Sequence, residues 1–495
     1  MFKKISKLVY FLCPYFVSIF PIISLFQNNI NEVKAEQIAV PILITILTNL
    51  LLIIILKKYF IREIITIILI GFWICIFYYK NFYTAIEFLI EPNIIRKRYV
   101  IFLWLSGISL IIFFLSNLKI VYTRIIFVFS YFMFFLILIQ FLKSFNDIKI
   151  VSKVNNTHFD TNYSKYRDIY CIILDGYPNS EILINNFSFN NSFFTNSLVK
   201  NKFHFFENSR SNYTLTFLSM ASLLNMEYIN YLSNKKSISS TDRSFAYNLV
   251  SNNKVFTFLK KNNYKIINIS SGWGPTEELE NANLNLTNNK YLSNFTSVLI
   301  KTTIIEELVN ILNININSDF INVTFAFEEL AKVRKIKGPK FVLAHILSPH
   351  DSYLFKPDRT AAQNFDKDGL FNKTKYINSL KVLNDKVLSM VDSLLSDSIN
   401  NPIIIIQSDH GSSSSFIPKL TKWKSPSREN IHERVSNFAA YYLPEKIDYL
   451  KDTISPVNTF RIIFNKYFKT KFKILPNKIY FSNYDEPYRF TEFRE

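Results

Sequence analysis

The chain has 495 residues, long for one domain, and carries a net charge of +19 with three cysteines. Cys13 and Cys75 lie in apolar runs and Cys171 in a buried-strand pattern, a spacing that excludes a disulfide framework or a cysteine metal motif. The basic balance fits anionic lipid headgroups or phosphorylated substrates. No nucleic-acid module or Arg-rich helix accompanies it, so nucleic acid is set aside as a partner.

Five apolar runs without Lys, Arg, Asp or Glu occupy residues 8–27, 37–56, 64–79, 99–118 and 125–142. A spanning helix needs roughly 17–25 apolar residues. Four runs fit that length; the third is short and extends only if 81–88 joins it. The first run exceeds a signal-peptide core and is followed by four more, so it reads as a retained helix. The expectation is a transmembrane helix bundle of about five helices over residues 1–143. Lys3, Lys4, Lys7, Lys57, Lys58, Arg62, Lys119 and Arg124 favour a cytoplasmic N-terminus, against the opposing run Arg96, Lys97 and Arg98. Five spans then place the rest of the chain on the extracytoplasmic or periplasmic side of an inner membrane.

Residues 144–166 read as a polar linker, and 167–495 as the catalytic domain. Residues 168–174, 265–269, 340–346 and 402–406 have strand patterns, whereas 254–261 and 376–395 have helical spacing. Strands alternating with helices predict an α/β domain with a mostly parallel central sheet.

Ligands of such sheets bind beyond the carboxyl ends of the strands. Asp175 follows the first strand, Asp409 and His410 follow the last, and His345 ends the third with His350 shortly after. Taken singly, each has an ordinary reading: a turn former or helix cap, a core histidine, a surface histidine. Taken together on one sheet edge, oxygen and nitrogen donors suit Zn²⁺ or Mn²⁺. Thr216 opens a helical pattern after a polar loop, as an ordinary N-cap or as a nucleophile at an anion-stabilising helix terminus.

In this order the motifs are recognisable. IILDGY (172–177), NYTLTFLSMASLLNMEY (212–228), HILSPHDSYLF (345–355), QSDHGS (407–412), ERVSNFAAYYLP (433–444) and SPVNTFRIIFNKYF (455–468) carry the resemblance. The chain resembles the alkaline phosphatase superfamily, in particular the membrane-bound sulfatase-like branch with lipoteichoic acid synthases and phosphoethanolamine transferases. The resemblance implies an alkaline-phosphatase/sulfatase-like fold. It also implies one divalent metal, Zn or Mn with Mg or Ca as alternatives, held by Asp175, Thr216, Asp409 and His410. Thr216 would be the covalent nucleophile, and His345 or His350 would serve the phosphate or leaving group. Relatives often read Asn-Tyr-Pro-Gln-Thr where this chain has Asn212-Tyr-Thr-Leu-Thr216, which keeps Thr214 as an alternative. Arg434 reads as structural rather than substrate-binding. The Cys/Ser-x-Pro-x-Arg motif of true sulfatases is absent, so phosphoryl chemistry is expected over sulfate-ester hydrolysis.

The expected function is a metal-dependent phosphotransferase. It takes a phosphodiester donor, a membrane lipid, through a phospho-threonine and passes the group to an envelope glycan or lipid. A phosphohydrolase of the same fold and an inactive membrane-anchored glycan-binding protein are the alternatives. The loops at 271–294 and 412–431 show no readable chemistry.

Overall fold

A computed structural model describes residues 2–30, 32–89, 97–117, 128–139, 167–235, 240–272, 274–288, 293–312, 318–350, 354–356, 372–396, 401–414, 421–445, 447, 450 and 452–494. The expected linker at 144–166 lies outside them. The chain forms two compact units, one of Met1–Lys153 with Tyr291–Ile316, the other of Val154–Lys290 with Asn317–Glu495. The segment Tyr291–Ile316 thus clusters with the first unit, apart from the residues on either side of it in the chain.

The first unit opens with α1 (Phe2–Asn28), α2 (Ala39–Leu56), α3 (Arg62–Phe77), α4 (Tyr79–Leu89), α5 (Lys97–Asn117) and α6 (Val128–Ile139). Among the described residues, three stretches are long and apolar enough to cross a membrane: Tyr10–Asn28, Ala35–Leu56 and Lys97–Asn117. The short third run continues past a 53° bend into α4, and the bent pair passes together as a fourth. Of the fifth run, α6 is the described part and is shorter than a span. Between α1, α2 and α3 a polar relay replaces unsatisfied groups: Trp73 Nε1 donates to Asn49 (2.9 Å), and Asn49 to Ser18 (3.1 Å).

The second unit holds a seven-stranded sheet in the order β2-β7-β6-β1-β5-β3-β4 and a two-stranded β8-β9 hairpin pair. Its elements in chain order begin with β1 (Ile169–Leu174), α7 (Ser180–Phe187), α8 (Ser192–Lys200), β2 (Phe203–Phe205) and α9 (Thr216–Asn225). They continue as α10 (Leu232–Lys235), α11 (Ser244–Ser251), α12 (Lys254–Lys261), β3 (Lys265–Ile269) and β4 (Leu284–Leu286). The chain then enters the first unit as α13 (Asn294–Lys301) and α14 (Ile305–Ile311). It returns as α15 (Ser318–Val333), β5 (Lys340–Ile346), α16 (Lys373–Ser396), β6 (Ile403–Gln407), α17 (Thr421–Lys424), α18 (Arg428–Val435) and β7 (Ala439–Tyr442). It ends with α19 (Thr459–Tyr467), β8 (Ile479–Phe481) and β9 (Thr491–Phe493).

β6, β1, β5, β3 and β4 run parallel, and β7 is antiparallel to both β6 and β2. Alternate side chains of β1 enter two cores: Ile169, Cys171 and Ile173 join α9, α11, α12 and α19, whereas Tyr170, Ile172 and Leu174 join α7, α8, α15 and α16. Burial on both faces explains why these strands read as continuous apolar runs rather than alternating ones. Each fully buried Ile contributes roughly 1.5–3 kcal/mol.

The segment α13–α14 is built into the first unit by apolar and polar contacts. Phe295 and Leu299 join the core of α1 and α3, and Ile304 joins Tyr79, Tyr83 and Val100. At the α3–α4 bend, Ile304 N–H donates to the Ile76 carbonyl (3.0 Å) and Trp104 Nε1 to the Cys75 carbonyl (3.0 Å). A bent helix exposes carbonyls that must find other donors, and these two do so. Glu306 and Glu307, in the first turn of α14, pair with Lys80 (3.3 Å) and Lys97 (2.6 Å).

Candidate active site

β1 and β6 are neighbours in register, with Ile173 opposite Gln407, so the residues that follow them emerge side by side. Asp175 N–H continues the ladder to the Ile346 carbonyl at 2.9 Å. The chain then turns at Gly176, whose φ of +71° favours glycine. Its N–H donates to Asp409 Oδ1 at 3.1 Å, which orients that carboxylate. Asp175, Asp409 and His410 are all buried, and one ligand atom from each lies within 4.8 Å of the others.

The donor set of this cluster suits a cation. Burial by itself would raise the Asp175 carboxyl, but His350, His345 and His410 together outweigh it and hold the group below the ordinary carboxylate range. Asp175 Oδ1 and Asp409 Oδ2 are buried without a hydrogen-bond donor among the described residues. Two such carboxylate oxygens are costly unless a positive charge meets them. Two carboxylates and one imidazole nitrogen suit a divalent ion of the Zn or Mn class.

The His410 ring is fixed by its neighbours. Arg434 Nη2 stands 2.7 Å from His410 Nε2, and a guanidinium can only donate. Nε2 therefore presents its lone pair, and Nδ1 carries the proton donated to the Gly411 carbonyl at 2.9 Å. Burial, then the Arg434 charge, push the imidazole down to about 4 against the opposing pull of Asp409 and Asp175. The neutral ring with an unprotonated Nε2 is the form that ligates metals. Gly411 is required for close approach: a Cβ there would stand 2.2 Å from the Glu433 carbonyl and 2.6 Å from that of Ser436. Past it, the buried Glu433 carboxylate accepts from the Ser412 hydroxyl (2.6 Å) and the Ser414 N–H (2.8 Å), which pins the loop.

Thr216 is the first residue of α9, partly exposed, with Oγ1 3.0 Å from His410 Nε2. Thr214, by contrast, is fully buried, and its hydroxyl is engaged with the Ser482 backbone, donating to the carbonyl (2.8 Å) and accepting from the N–H (3.2 Å). His345 leans into the same cluster, Nε2 lying 3.6 Å from Asp175 Oδ2. The His350 backbone lies beside the turn, its Cα 3.5 Å from where a Gly176 Cβ would stand. All six residues singled out in the sequence thus lie in one neighbourhood. Arg434 is buried, donates through Nε to the Thr214 carbonyl (2.9 Å), and so braces both the loop before α9 and His410.

The sequence reading missed the group that orients His345. Thr276 Oγ1 is hydrogen-bonded to His345 Nδ1 at 2.7 Å and to Ser271 Oγ at 2.9 Å. Both residues lie in the 271–294 loop, where no chemistry was readable. A lone Thr in a polar loop gives no signal until the fold brings it to β5.

Residues 169–435 match the sulfatase family. No curated protein matches the chain. Among solved structures, it is similar to the C-terminal periplasmic domain of EptC from Escherichia coli, at 12% identity and a TM-score of 0.45, covering 70% of this chain and 97% of that one. It is also similar to the periplasmic domain of phosphoethanolamine transferase EptC from Campylobacter jejuni (12%, TM-score 0.39, 62% and 90% covered). A Vibrio parahaemolyticus protein of the alkaline phosphatase superfamily is similar at 12% identity (TM-score 0.42, 66% and 75% covered). Because the family match takes in more than half of the chain, from β1 through α18, the chain belongs to the sulfatase family.

Proposed function

We propose that this protein is a membrane-anchored phosphotransferase that takes a phosphodiester donor through a covalent intermediate on Thr216. The observation that carries the reading is the Thr216 hydroxyl, 3.0 Å from His410 Nε2 and beside two buried carboxylate oxygens without donors. Asp175, Asp409, His410 and Thr216 would hold the divalent ion. When bound, that ion supplies Lewis-acid stabilisation of negative charge on the hydroxyl and phosphoryl oxygens.

The chain's own groups carry the rest. Thr216 loses its proton to solvent, and its Oγ forms a bond to phosphorus as the bond to the leaving oxygen breaks. That oxygen takes a proton from His345 or His350. Thr276 holds the His345 ring with Nε2 turned to the Asp175 side, a geometry suited to this exchange. The N-terminus of α9 adds a favourable dipole for the anionic group. In the second half-reaction an acceptor hydroxyl gives its proton to the same histidine and attacks phosphorus, the Oγ–P bond breaks, and Thr216 Oγ takes a proton back from solvent. Protons balance over the cycle, and Thr216 returns as it began. With the serine or cysteine of the sulfatase aldehyde motif missing, the transferred group is phosphoryl rather than sulfuryl.

Apolar helices long enough to span a membrane support a lipid donor drawn from the bilayer and an envelope glycan or lipid acceptor, with the catalytic unit on the extracytoplasmic side. Of the opposing charges, Lys97 is ion-paired to Glu307, which lessens its weight against this orientation. The test is turnover of a chromogenic phosphodiester by the full chain in detergent with added Mn²⁺ or Zn²⁺. Thr216→Ala is expected to lose about a thousandfold or more, and Thr214→Ala far less. Equal losses in both, or activity retained in Thr216→Ala, would remove Thr216 from the mechanism. Water or an added alcohol as the favoured acceptor separates hydrolase from transferase.

A further inference from the structure

A surface helix in water buries its apolar stripe and exposes its charges. In the first unit, α14 does the reverse. Its acidic side chains turn inward, Glu306 onto Lys80 at 3.3 Å and the buried Glu307 onto Lys97 at 2.6 Å. Leu308, Ile311 and the adjoining Leu312 face outward, 55%, 69% and 67% exposed. Spaced at i, i+3 and i+4, they share one side of the helix. A grouped apolar patch of this kind marks a contact surface rather than a water-facing one. The level of that surface is fixed by Lys97. The apolar stretch Lys97–Asn117 has 21 residues, about 31 Å of helix against a hydrocarbon layer of roughly 30 Å. A span with no length to spare sets its first residue, Lys97, at the edge of the hydrocarbon. The ion pair with Lys97 holds Glu307, and α14 with it, at the same edge. Tyrosines surround this point, as they do at membrane boundaries: Ile304, just before α14, packs with Tyr79 and Tyr83, and the Lys97 ammonium lies 5.4 Å from the Tyr83 ring centre.

We infer that α14 is an interfacial helix, whose Leu308, Ile311 and Leu312 dip into the headgroup–acyl boundary of the bilayer at the Lys97 end of α5. This rests on the membrane-anchored reading and adds to it a lipid contact made by a stretch of chain that lies between β4 and α15 in sequence. With seven residues, about 10 Å of helix, α14 is far too short to span and suits the shallow boundary layer instead. Carboxylates are costly near hydrocarbon, and here both are neutralised by lysines on the inner side of the helix. The apolar side is left for the acyl chains.

Fluorescence quenching tests it on the full chain reconstituted in phosphatidylcholine vesicles. An environment-sensitive NBD fluorophore is attached to Leu308→Cys, Ile311→Cys or Leu312→Cys, and to Phe102→Cys on the exposed side of α5. The unsubstituted chain sets the background from the native cysteines. The quenchers are lipid nitroxides, placed either near the headgroup or deep in the tails, and aqueous iodide on both sides of the vesicle. The shallow nitroxide should remove about half of the emission at the three α14 positions, the deep one markedly less, and iodide little. Three separate positions guard against one variant that misfolds. If Phe102→Cys is quenched by lipid while the α14 labels stay open to iodide, their apolar side faces water and the inference is overturned. It is equally overturned if they are shielded from every quencher, as a protein partner would do, or quenched best by the deep nitroxide. If Phe102→Cys is not quenched by lipid either, the membrane-anchored reading fails and takes the inference with it.

Discussion

The sheet edge and the α3–α4 bend solve the same physical problem in opposite ways. Both bring polar groups into a buried setting where an unpaired one is costly. At the bend the backbone and charged groups find partners: Ile304 N–H and Trp104 Nε1 meet the exposed carbonyls, Glu306 and Glu307 meet lysines, and of the side chains named there only the Tyr79 hydroxyl is buried without a partner among the described residues. At the sheet edge Asp175 Oδ1, Asp409 Oδ2 and His345 Nε2 have no hydrogen-bond partner among the described residues. The contrast separates a region whose polar contacts serve packing from one whose polar atoms are reserved for something that binds. Satisfied networks stabilise; a converging set of unsatisfied ones marks chemistry.

Substitutions at the edge should therefore cost function, and those at the bend should cost only stability. The largest effect is expected for Asp409→Asn. It should reduce bound metal below stoichiometric by mass spectrometry of metal content and lower turnover about a thousandfold or more, with the apparent unfolding midpoint of the metal-free chain little changed. A variant that keeps both metal and turnover would erase the contrast. Next, Gly411→Ala forces a methyl group against two backbone carbonyls. The cost should be about 1–3 kcal/mol of stability, read as a lowered unfolding midpoint, together with reduced turnover because His410 is displaced.

Thr276→Val sharpens the comparison within the site. It keeps the shape but removes the hydroxyl that holds His345 Nδ1. Turnover should fall about 10–100-fold, mainly in kcat, and Thr276→Ser should restore most of it. The smallest effect belongs to the bend. Glu306→Gln and Glu307→Gln should each lower stability by no more than about 1 kcal/mol, since Lys80 in particular is well exposed, and should leave turnover of a soluble diester unchanged. A large loss of turnover from either would show that the segment has a catalytic role.

The two regions also differ in how much of them is readable from sequence. The strand ends were legible because a buried parallel strand is a continuous apolar run, so a charged residue after it stands out: Asp175 after IYCIIL and Asp409 after IIIIQ. Chain order then suffices to put both on one edge, since β1 and β6 are parallel neighbours. The α13–α14 segment was not legible as part of the first unit. It has the mixed composition of a soluble helix pair, and its partners Lys80 and Lys97 lie 226 and 210 residues away. Thr276 was hidden for the same reason, because its contact with His345 depends on long-range proximity rather than on any local pattern. Thr214 and Thr216 were separable only by geometry, one hydroxyl being engaged with Ser482 and the other facing His410.

The most direct test of the central claim is mass spectrometry of the peptide containing Thr216, from the full chain purified in native-like membranes with and without a divalent metal. The account predicts a metal-dependent phosphoryl adduct on Thr216 that is absent from Thr216→Ala, with the added mass naming the transferred group. An adduct on another residue, or an active enzyme that never carries one on Thr216 during turnover, would contradict it.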